Sequence, residues 1–474
     1  MPVTREALLD QYQKALDEDV AAAFVGAGLS VPAGFVDWKE LLREIARDLD
    51  LNVDEETDLI TLAQYHFNHT RTRSLLNQKL IDEFTKDAQP TGNHHLLANL
   101  PFTSIWTTNY DHLIEDAFRD AHKRVDKKVV EKHLRLTVPK RDVVLYKMHG
   151  DVDDPDDAVL MKADYECYDQ KRSLFSEQLK GDLLSKTFLF LGLSFTDPNI
   201  NYILGRVRSL SGLSPRTHYW ITRDANKNPN AGPLDKKHQK HRIDDLKTYG
   251  VRTLLVEDYA EITKILRELG RRVNRRNVFF SGSAHEYGAL GQARVLPLLR
   301  KLGTALIDQG FNLVSGMGLG VGDAVAMGAI EAVYRKPAEH LEQRTILRPF
   351  PQPPVDGADR PKFKRSYRED MLGRARSAIF VLGNKVVAGN VLLADGMREE
   401  FEIALKAGVY PIPIGATGYV AEQLSAEVRA KVDDLYGPLA GEVKPHLEVL
   451  ADAKADDDKL VNAVMAILKA IAPK

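Results

Sequence analysis

Cysteine is almost missing from this chain: Cys167 is the only one in 474 residues. One cysteine excludes an intrachain disulfide and any zinc module of the Cys₄ or Cys₂His₂ kind. No sign of charge dominates either, since 65 Lys and Arg face 67 Asp and Glu for a net charge of -2. Such a balance leaves no bulk field to attract nucleic acid. The local cluster Lys236, Lys237, Lys240 and Arg242 reads as solvated helix surface. Long apolar runs are missing too, with no window approaching the roughly 20 uninterrupted residues of a spanning helix. The opening MPVTREALLDQYQKALDEDV spreads its charges where a signal peptide needs an apolar core. These absences predict a cytoplasmic protein that binds neither membrane nor nucleic acid.

What is present is a repeated βα pattern long enough for more than one core. Short apolar runs bounded by turns predict buried strands at AAAFVG, SIWTT, VVLYKM, TFLFLGL, HYWITR and VRTLLVE. Helical patterns lie between them, as in WKELLREIARDL from Trp38, YDHLIEDAF from Tyr110 and DPNINYILGRVRSL from Asp197. A basic, proline-containing stretch from Asn226 to Arg242 interrupts this half, and YAEITKILRELGRRV closes it. The alternation then restarts with NVFFSGS, FNLVSG, TILRPF, SAIFVLG and VYPIPIG. We therefore expect two α/β domains, residues 1–275 and 276–474, each a mostly parallel sheet with helices on both faces.

In such sheets a ligand lies beyond the carboxyl ends of the strands, so the residues just after each strand carry the chemistry. The first strand runs into Gly26, Ala27, Gly28, Leu29 and Ser30. Small residues there allow backbone amides to approach a pyrophosphate. A tight strand-to-helix turn explains them equally well, and Val31 stands where the third glycine of a dinucleotide fingerprint belongs. SIWTT ends in Asn109, Tyr110 and Asp111, and VVLYKM delivers His149 and Gly150. A histidine at a strand tip is placed to act as a general base. TFLFLGL adds Gly192, Ser194, Phe195 and Asp197. Asp111 and Asp197 serve as plain helix caps on the simplest reading.

Taken together, GAGLS, TTNYD, the HG pair and GLSFTDPN resemble the NAD⁺-binding and catalytic motifs of the sirtuins, in order and approximate spacing. The resemblance implies NAD⁺ as substrate, with Gly26, Ala27, Gly28 and Ser30 along its phosphates and Asp111, Gly192, Ser194 and Asp197 around the rest of the dinucleotide. It makes Asn109 and His149 the catalytic pair. Two departures narrow the activity. The Cys₄ zinc module of the deacetylases has no counterpart, and their G-x-P-D-F-R segment appears as Gly34, Phe35, Val36, Asp37, Trp38 and Lys39. Cleaving the nicotinamide bond needs only bound NAD⁺, stabilisation of an oxocarbenium-like ribosyl cation and an acceptor activated by a base. With water as acceptor the reaction is hydrolysis, without a metal. Protein deacylation, ADP-ribosyl transfer and nucleotide sensing without turnover are the competing readings.

The second half offers Ser281 and Gly282 after its first strand and Gly316, Gly318, Gly320 and Gly322 after its second. Such a loop before a helix suits phosphate, although alternate glycines also make tight turns. Arg368, Lys385 and Glu400 fall near the same sheet edge, where two cations and a carboxylate suit a phosphate and a ribose hydroxyl. This half resembles the SLOG superfamily, which includes nucleotide sensors and the lonely-guy phosphoribohydrolases. Of the hydrolases' P-G-G-x-G-T-x-x-E motif, only Gly396 and Glu400 remain in the stretch Leu393–Glu400, which favours binding over a second hydrolysis. The order sirtuin-like domain then SLOG domain, with segments such as KMHGDV, ILRPFP and GATGY, resembles the NAD⁺-depleting effectors of the Thoeris anti-phage defence system. That resemblance implies a homo-oligomer, a tetramer or larger, activated by a cyclic ADP-ribose isomer from a Toll/interleukin-receptor-like cyclase.

Overall fold

The computed structural model describes residues 2–56, 58–195, 197–211, 216–337, 339–350 and 360–472. The chain divides into two compact units, Met1–Val273 and Asn274–Lys474. Among the described residues no helix is long and apolar enough to cross a membrane.

The first unit is built on a seven-stranded sheet ordered β3-β4-β2-β1-β5-β6-β7, every neighbouring pair parallel. Its strands are β1 (Ala21–Val25), β2 (Ser104–Thr107), β3 (Val125–Lys128), β4 (Val143–Lys147), β5 (Thr187–Leu191), β6 (His218–Arg223) and β7 (Val251–Val256). Helices cover both faces of the central strands, so these read as unbroken apolar runs, and every residue of β1 and β5 is buried. Alternate residues feed two cores. Ala21, Ala23 and Val25 pack with Ile105, Leu145, Leu189 and Leu191 on one face. Ala22 and Phe24 pack with Trp106, Tyr146, Phe188 and Phe190 on the other. A third cluster joins the helices between β1 and β2, through Leu42, Ile45, Leu62, Leu76 and Leu80, to Tyr110, Val152 and Leu160 in the loops after β2 and β4. That helical lobe buries one flank of the carboxyl edge.

The second unit carries a parallel five-stranded sheet, β10-β9-β8-β11-β14. Its strands are β8 (Asn277–Ser283), β9 (Asn312–Ser315), β10 (Thr345–Leu347), β11 (Ser377–Leu382) and β14 (Tyr410–Pro413), with a separate antiparallel hairpin of β12 (Asn384–Val387) and β13 (Asn390–Leu393). A single large cluster, running from Val278 to the C-terminal helices, forms its core. In both units the strand order reverses beside the first strand, between β1 and β5 and between β8 and β11. This switch point is where an open α/β sheet leaves a crevice.

Some elements differ from the sequence reading. The run from Trp38 is two short helices, Trp38–Leu41 and Arg43–Asp48. The stretch 226–242 is not merely an interruption, because the helix Pro233–Thr248 takes up much of it. Neither β3 nor the hairpin follows from hydropathy, since β3 reads VDKK and the hairpin is largely exposed. Thr196 and Pro351, within the quoted segments GLSFTDPN and ILRPFP, lie outside the described residues.

Candidate active site and candidate ligand site

At the first switch point the loops after β1, β2, β4 and β5 bring the expected residues together. The glycines do a different job from the one their sequence suggests. The amide of Gly26 donates to Leu191 O at 2.8 Å and that of Gly28 to Gly192 O at 3.0 Å. A Cβ on Gly26 would stand 2.5 Å from Gly192 O, and one on Gly192 would stand 2.5 Å from Leu29 N. Gly192 also holds φ at +65°, where a side chain is strained. The three glycines therefore let the ends of β1 and β5 touch, and two of their amides are committed to that contact rather than open to a pyrophosphate. Ala27 and Gly28 remain exposed on the short turn Ala27–Leu29.

Ser30 links the two strand tips. Its Oγ donates to Asp111 Oδ2 at 2.8 Å and accepts from Asn109 Nδ2 at 3.0 Å. Asp111 Oδ1 meanwhile accepts from Leu113 N at 3.0 Å, so the carboxylate braces both the helix Leu113–Asp120 and the carboxamide network. The backbone of Asn109 is fixed by Thr107 Oγ1 at 2.9 Å. With its NH₂ used by Ser30, Asn109 Oδ1 is buried without a hydrogen-bond partner among the described residues. Leaving such an acceptor unpaired costs about 1 to 3 kcal/mol, so it is a place for a ligand donor.

His149 is 3% exposed and flanked edge-on by the rings of Tyr165 and Tyr168. Its Nε2 lies 3.0 Å from Asp197 Oδ2, close enough for charge attraction but without hydrogen-bond alignment. Asp197 also caps the helix Pro198–Ser211 by accepting from Ile200 N at 3.2 Å. Ser194 is exposed, and its carbonyl accepts from Arg242 Nη1 at 2.9 Å.

Sequence reasoning passed over Lys147, Asp151 and His112 beneath this site. Lys147 is 0% exposed; its ammonium donates to Tyr110 O at 3.0 Å and Asp111 O at 2.7 Å and lies 2.8 Å from Asp151 Oδ2. Burial would raise the Asp151 pKa, but the hydrogen bond from His112 and the Lys147 charge overcome it and hold the carboxyl far below its usual range. The signal was available, since a lysine interrupts an otherwise apolar strand. Among the described residues, His112, Asp151 and Asp153 form the one grouping with metal-like spacing. Lys127 Nζ already bridges both carboxylates, at 3.0 and 3.1 Å.

The second switch point brings Ser281, Arg368 and Glu400 into direct contact. Ser281 Oγ donates to Glu400 Oε2 at 2.6 Å, and Arg368 Nε reaches Glu400 Oε1 at 3.3 Å. Arg368 Nη1 donates to Glu399 Oε2 at 2.5 Å, and its guanidinium stacks 4.9 Å from the centroid of Phe350. Burial raises the Glu400 pKa, partly opposed by Ser281 and Arg368. Lys385 stands apart on the hairpin, paired with Asp395. Both cations expected to meet a phosphate thus hold carboxylates here. The loop glycines again serve packing: a Cβ on Gly318 would fall 1.8 Å from Gly282 O, on Gly320 2.2 Å from Ala284 O and on Gly322 2.6 Å from Met317. A Cβ on Gly282 would meet Val381 at 2.6 Å, whereas one on Gly316 has, among the described residues, only Arg348 O within reach, at 3.9 Å.

Two parallel sheets, each with a polar site at its switch point and the first with a buried Asn and His pair, define a SIR2-like domain followed by a SLOG domain. Family models agree: the SIR2-like domain matches residues 103–254, and the Sir2- and TIR-associating SLOG family matches residues 261–471. The chain is 40% identical to the NAD(+) hydrolase ThsA of Acinetobacter baumannii (strain 532279), covering 98% of this chain and 99% of that protein. It is 40% identical to the protein of the same name from Cytobacillus dafuensis, over 99% and 97% of the two chains. For that of Bacillus cereus (strain MSX-D12) the identity is 39%, over 98% of each. The chain belongs to the ThsA family.

Proposed function

We propose that this chain hydrolyses NAD⁺ to nicotinamide and ADP-ribose at the carboxyl edge of its first sheet, depleting cytoplasmic NAD⁺ as an anti-phage defence effector. The observation that carries the reading is the pair of buried groups at the first switch point, Asn109 Oδ1 and His149 Nε2, neither with a hydrogen-bond partner among the described residues. Buried, unpaired polar atoms at neighbouring strand tips are what a substrate with hydroxyl groups would satisfy.

In this reading Ser30 and Asp111 fix the carboxamide so that Asn109 Oδ1 accepts from a hydroxyl of the nicotinamide ribose. As the bond from ribose C1′ to the nicotinamide nitrogen breaks, that nitrogen takes both electrons and the ribosyl carbon becomes cationic. Neutral nicotinamide departs. Water then attacks C1′, and His149 accepts the proton it releases. Asp197 at 3.0 Å stabilises the imidazolium that results. Hydrolysis rather than deacylation fits a single cysteine and the replaced arginine.

The second site fits a regulatory ligand, which we identify as a cyclic ADP-ribose isomer made by a Toll/interleukin-receptor-like cyclase. Its phosphates would take Arg368 and Lys385 from their carboxylates, its ribose would meet Glu400, and Gly316 offers the open stretch of the glycine loop. Asn109 is 6% and His149 3% exposed, so the first site must open to admit substrate, and a homo-oligomer, a tetramer or larger, provides states for the ligand to choose between. The test of the activity is incubation with NAD⁺ in the absence of any peptide acceptor. Equimolar nicotinamide and ADP-ribose support hydrolysis; NAD⁺ loss that requires an acylated peptide would replace it with deacylation.

A further inference from the structure

Lys147 has a connection to the first site that the proposed chemistry does not use. It ends β4 two residues before His149, in register with Thr107 of β2, two residues before Asn109. Its ammonium has three protons, and two of its acceptors are the backbone carbonyls of Tyr110 and Asp111. The carbonyl of Tyr110 receives a second bond, from Val152 N at 3.2 Å. The loop leaving Asn109 is therefore gripped from both sides of His149, by Lys147 before it and Val152 after it.

The grip extends to the side chains. Asp111, whose carbonyl Lys147 holds at 2.7 Å, accepts from Ser30, which accepts from Asn109. On the other flank, Asp151, two residues after His149, lies 2.8 Å from the same ammonium, and Glu115 Oε1 lies at 3.3 Å. Those carboxylates neutralise the lysine. It can thus join two loops without placing an unbalanced positive charge beneath a site where a cationic ribosyl group forms.

We propose that Lys147 is the positioning residue that locks the Asn109 loop to the His149 tip, so that carboxamide and imidazole keep a fixed separation. This rests on the reading of Asn109 and His149 as the catalytic pair. Two bonds of this ammonium go to the backbone of the loop that leaves Asn109, so its removal frees that loop as well as the charge pair.

The test uses the full chain. Lys147→Met alone leaves the buried Asp151 with Lys127 at 3.0 Å and His112 at 2.8 Å but shifts the local charge balance, so the informative variant is Lys147→Met/Asp151→Asn, which removes both charges. NAD⁺ turnover with a cyclic ADP-ribose isomer present should fall about 10- to 100-fold in kcat, with KM changed less than about threefold because the substrate contacts remain. Hydrogen exchange in residues 108–113 should rise by about tenfold or more, with the melting temperature of the rest of the chain kept. If kcat and exchange in this loop both match the wild type, the proposal is overturned. Loss of melting temperature with both retained gives Lys147 a purely stabilising role and overturns it equally. Should the wild type cleave no NAD⁺, the hydrolase reading fails, and the exchange measurement still decides whether Lys147 locks the loop.

Discussion

The two switch-point sites are built from opposite materials. In the first, Asn109 donates to Ser30 and Ser30 to the Asp111 carboxylate, while Asn109 Oδ1 and His149 Nε2 have no hydrogen-bond partner among the described residues. In the second, the charged groups already hold one another: Arg368 pairs with Glu399 and Glu400, and Lys385 with Asp395. A ligand at the first site fills vacant valences. A ligand at the second must displace internal partners, and an anionic one can do so by exchanging one carboxylate for another negative group. The first arrangement suits a substrate that binds, reacts and leaves, while the second suits a switch whose empty state is itself a paired, stable one. In our account the units divide the labour along that line.

The largest effects should come at Asn109 and His149. Asn109→Ala or His149→Ala is expected to lower NAD⁺ turnover by on the order of 10² to 10⁴ while circular dichroism stays close to wild type, with some loss of melting temperature because both side chains are buried. Wild-type turnover in the His149 variant would erase the contrast, because the first site would then hold no base.

Next in size are the glycines, which distinguish contact from ligand space. Gly192→Ala puts a Cβ 2.5 Å from Leu29 N at a φ of +65° and should destabilise the first unit by about 2 to 4 kcal/mol, measured by denaturant titration. Gly316→Ala, whose Cβ has Arg348 O at 3.9 Å as its nearest neighbour among the described residues, should leave the second unit within about 1 kcal/mol of wild type yet weaken isomer binding. A reversed order would mean that the loops have exchanged roles.

Arg368→Ala and Lys385→Ala should each raise the isomer concentration needed for half-activation about 5- to 150-fold, the range of a 1 to 3 kcal/mol coupling. The maximal rate at saturating isomer should not change. Calorimetry on the same variants should report a parallel loss of affinity, and activation at the wild-type concentration would move the sensor site elsewhere.

Acid stability should also separate the units. In the first, burial lowers the His94 pKa to about 4, against the pull of Asp111, and the His218 pKa to about 3. Both histidines bind protons more readily unfolded, so their contribution is complete above an unfolded value near 6.5 and is lost as the pH falls toward those folded values. In the second unit Glu400 is shifted upward by burial, so the folded state holds its proton more tightly and acid favours folding there. Lowering the pH from 7 to 5 should therefore bring down the melting transition of the first unit ahead of the second. Transitions that shift together would contradict these assignments.

How far the sequence could be read follows the same division between apolar and polar structure. Central strands buried on both faces show as continuous apolar runs, which is why AAAFV and TFLFL were legible. Edge strand β3 was not, because Asp126 and Lys128 are buried as a 2.7 Å ion pair and hydropathy registers them as surface. The helix from Trp38 reads as continuous in its spacing but breaks at Leu42, whose backbone leaves the helical region. Residues at strand tips could be named because topology alone sends them to one edge. Their partners could not: nothing local says that Lys147 reaches the carbonyls of Tyr110 and Asp111, or that Arg368 prefers Glu399. The glycine loops misled for a related reason, since a glycine that admits a phosphate and one that admits another backbone look alike in sequence.

The central claim is that the first site cleaves NAD⁺ under control of the second. Its most direct test is NAD⁺ turnover by the full chain, titrated with a cyclic ADP-ribose isomer, for the wild type beside His149→Ala and Arg368→Ala. The account predicts low turnover without isomer and saturable activation with it, turnover in His149→Ala lower by on the order of 10² to 10⁴ at every concentration, and full turnover in Arg368→Ala at a higher concentration. An isomer-independent wild-type rate, or a His149→Ala variant that the isomer brings to the wild-type rate, would contradict it.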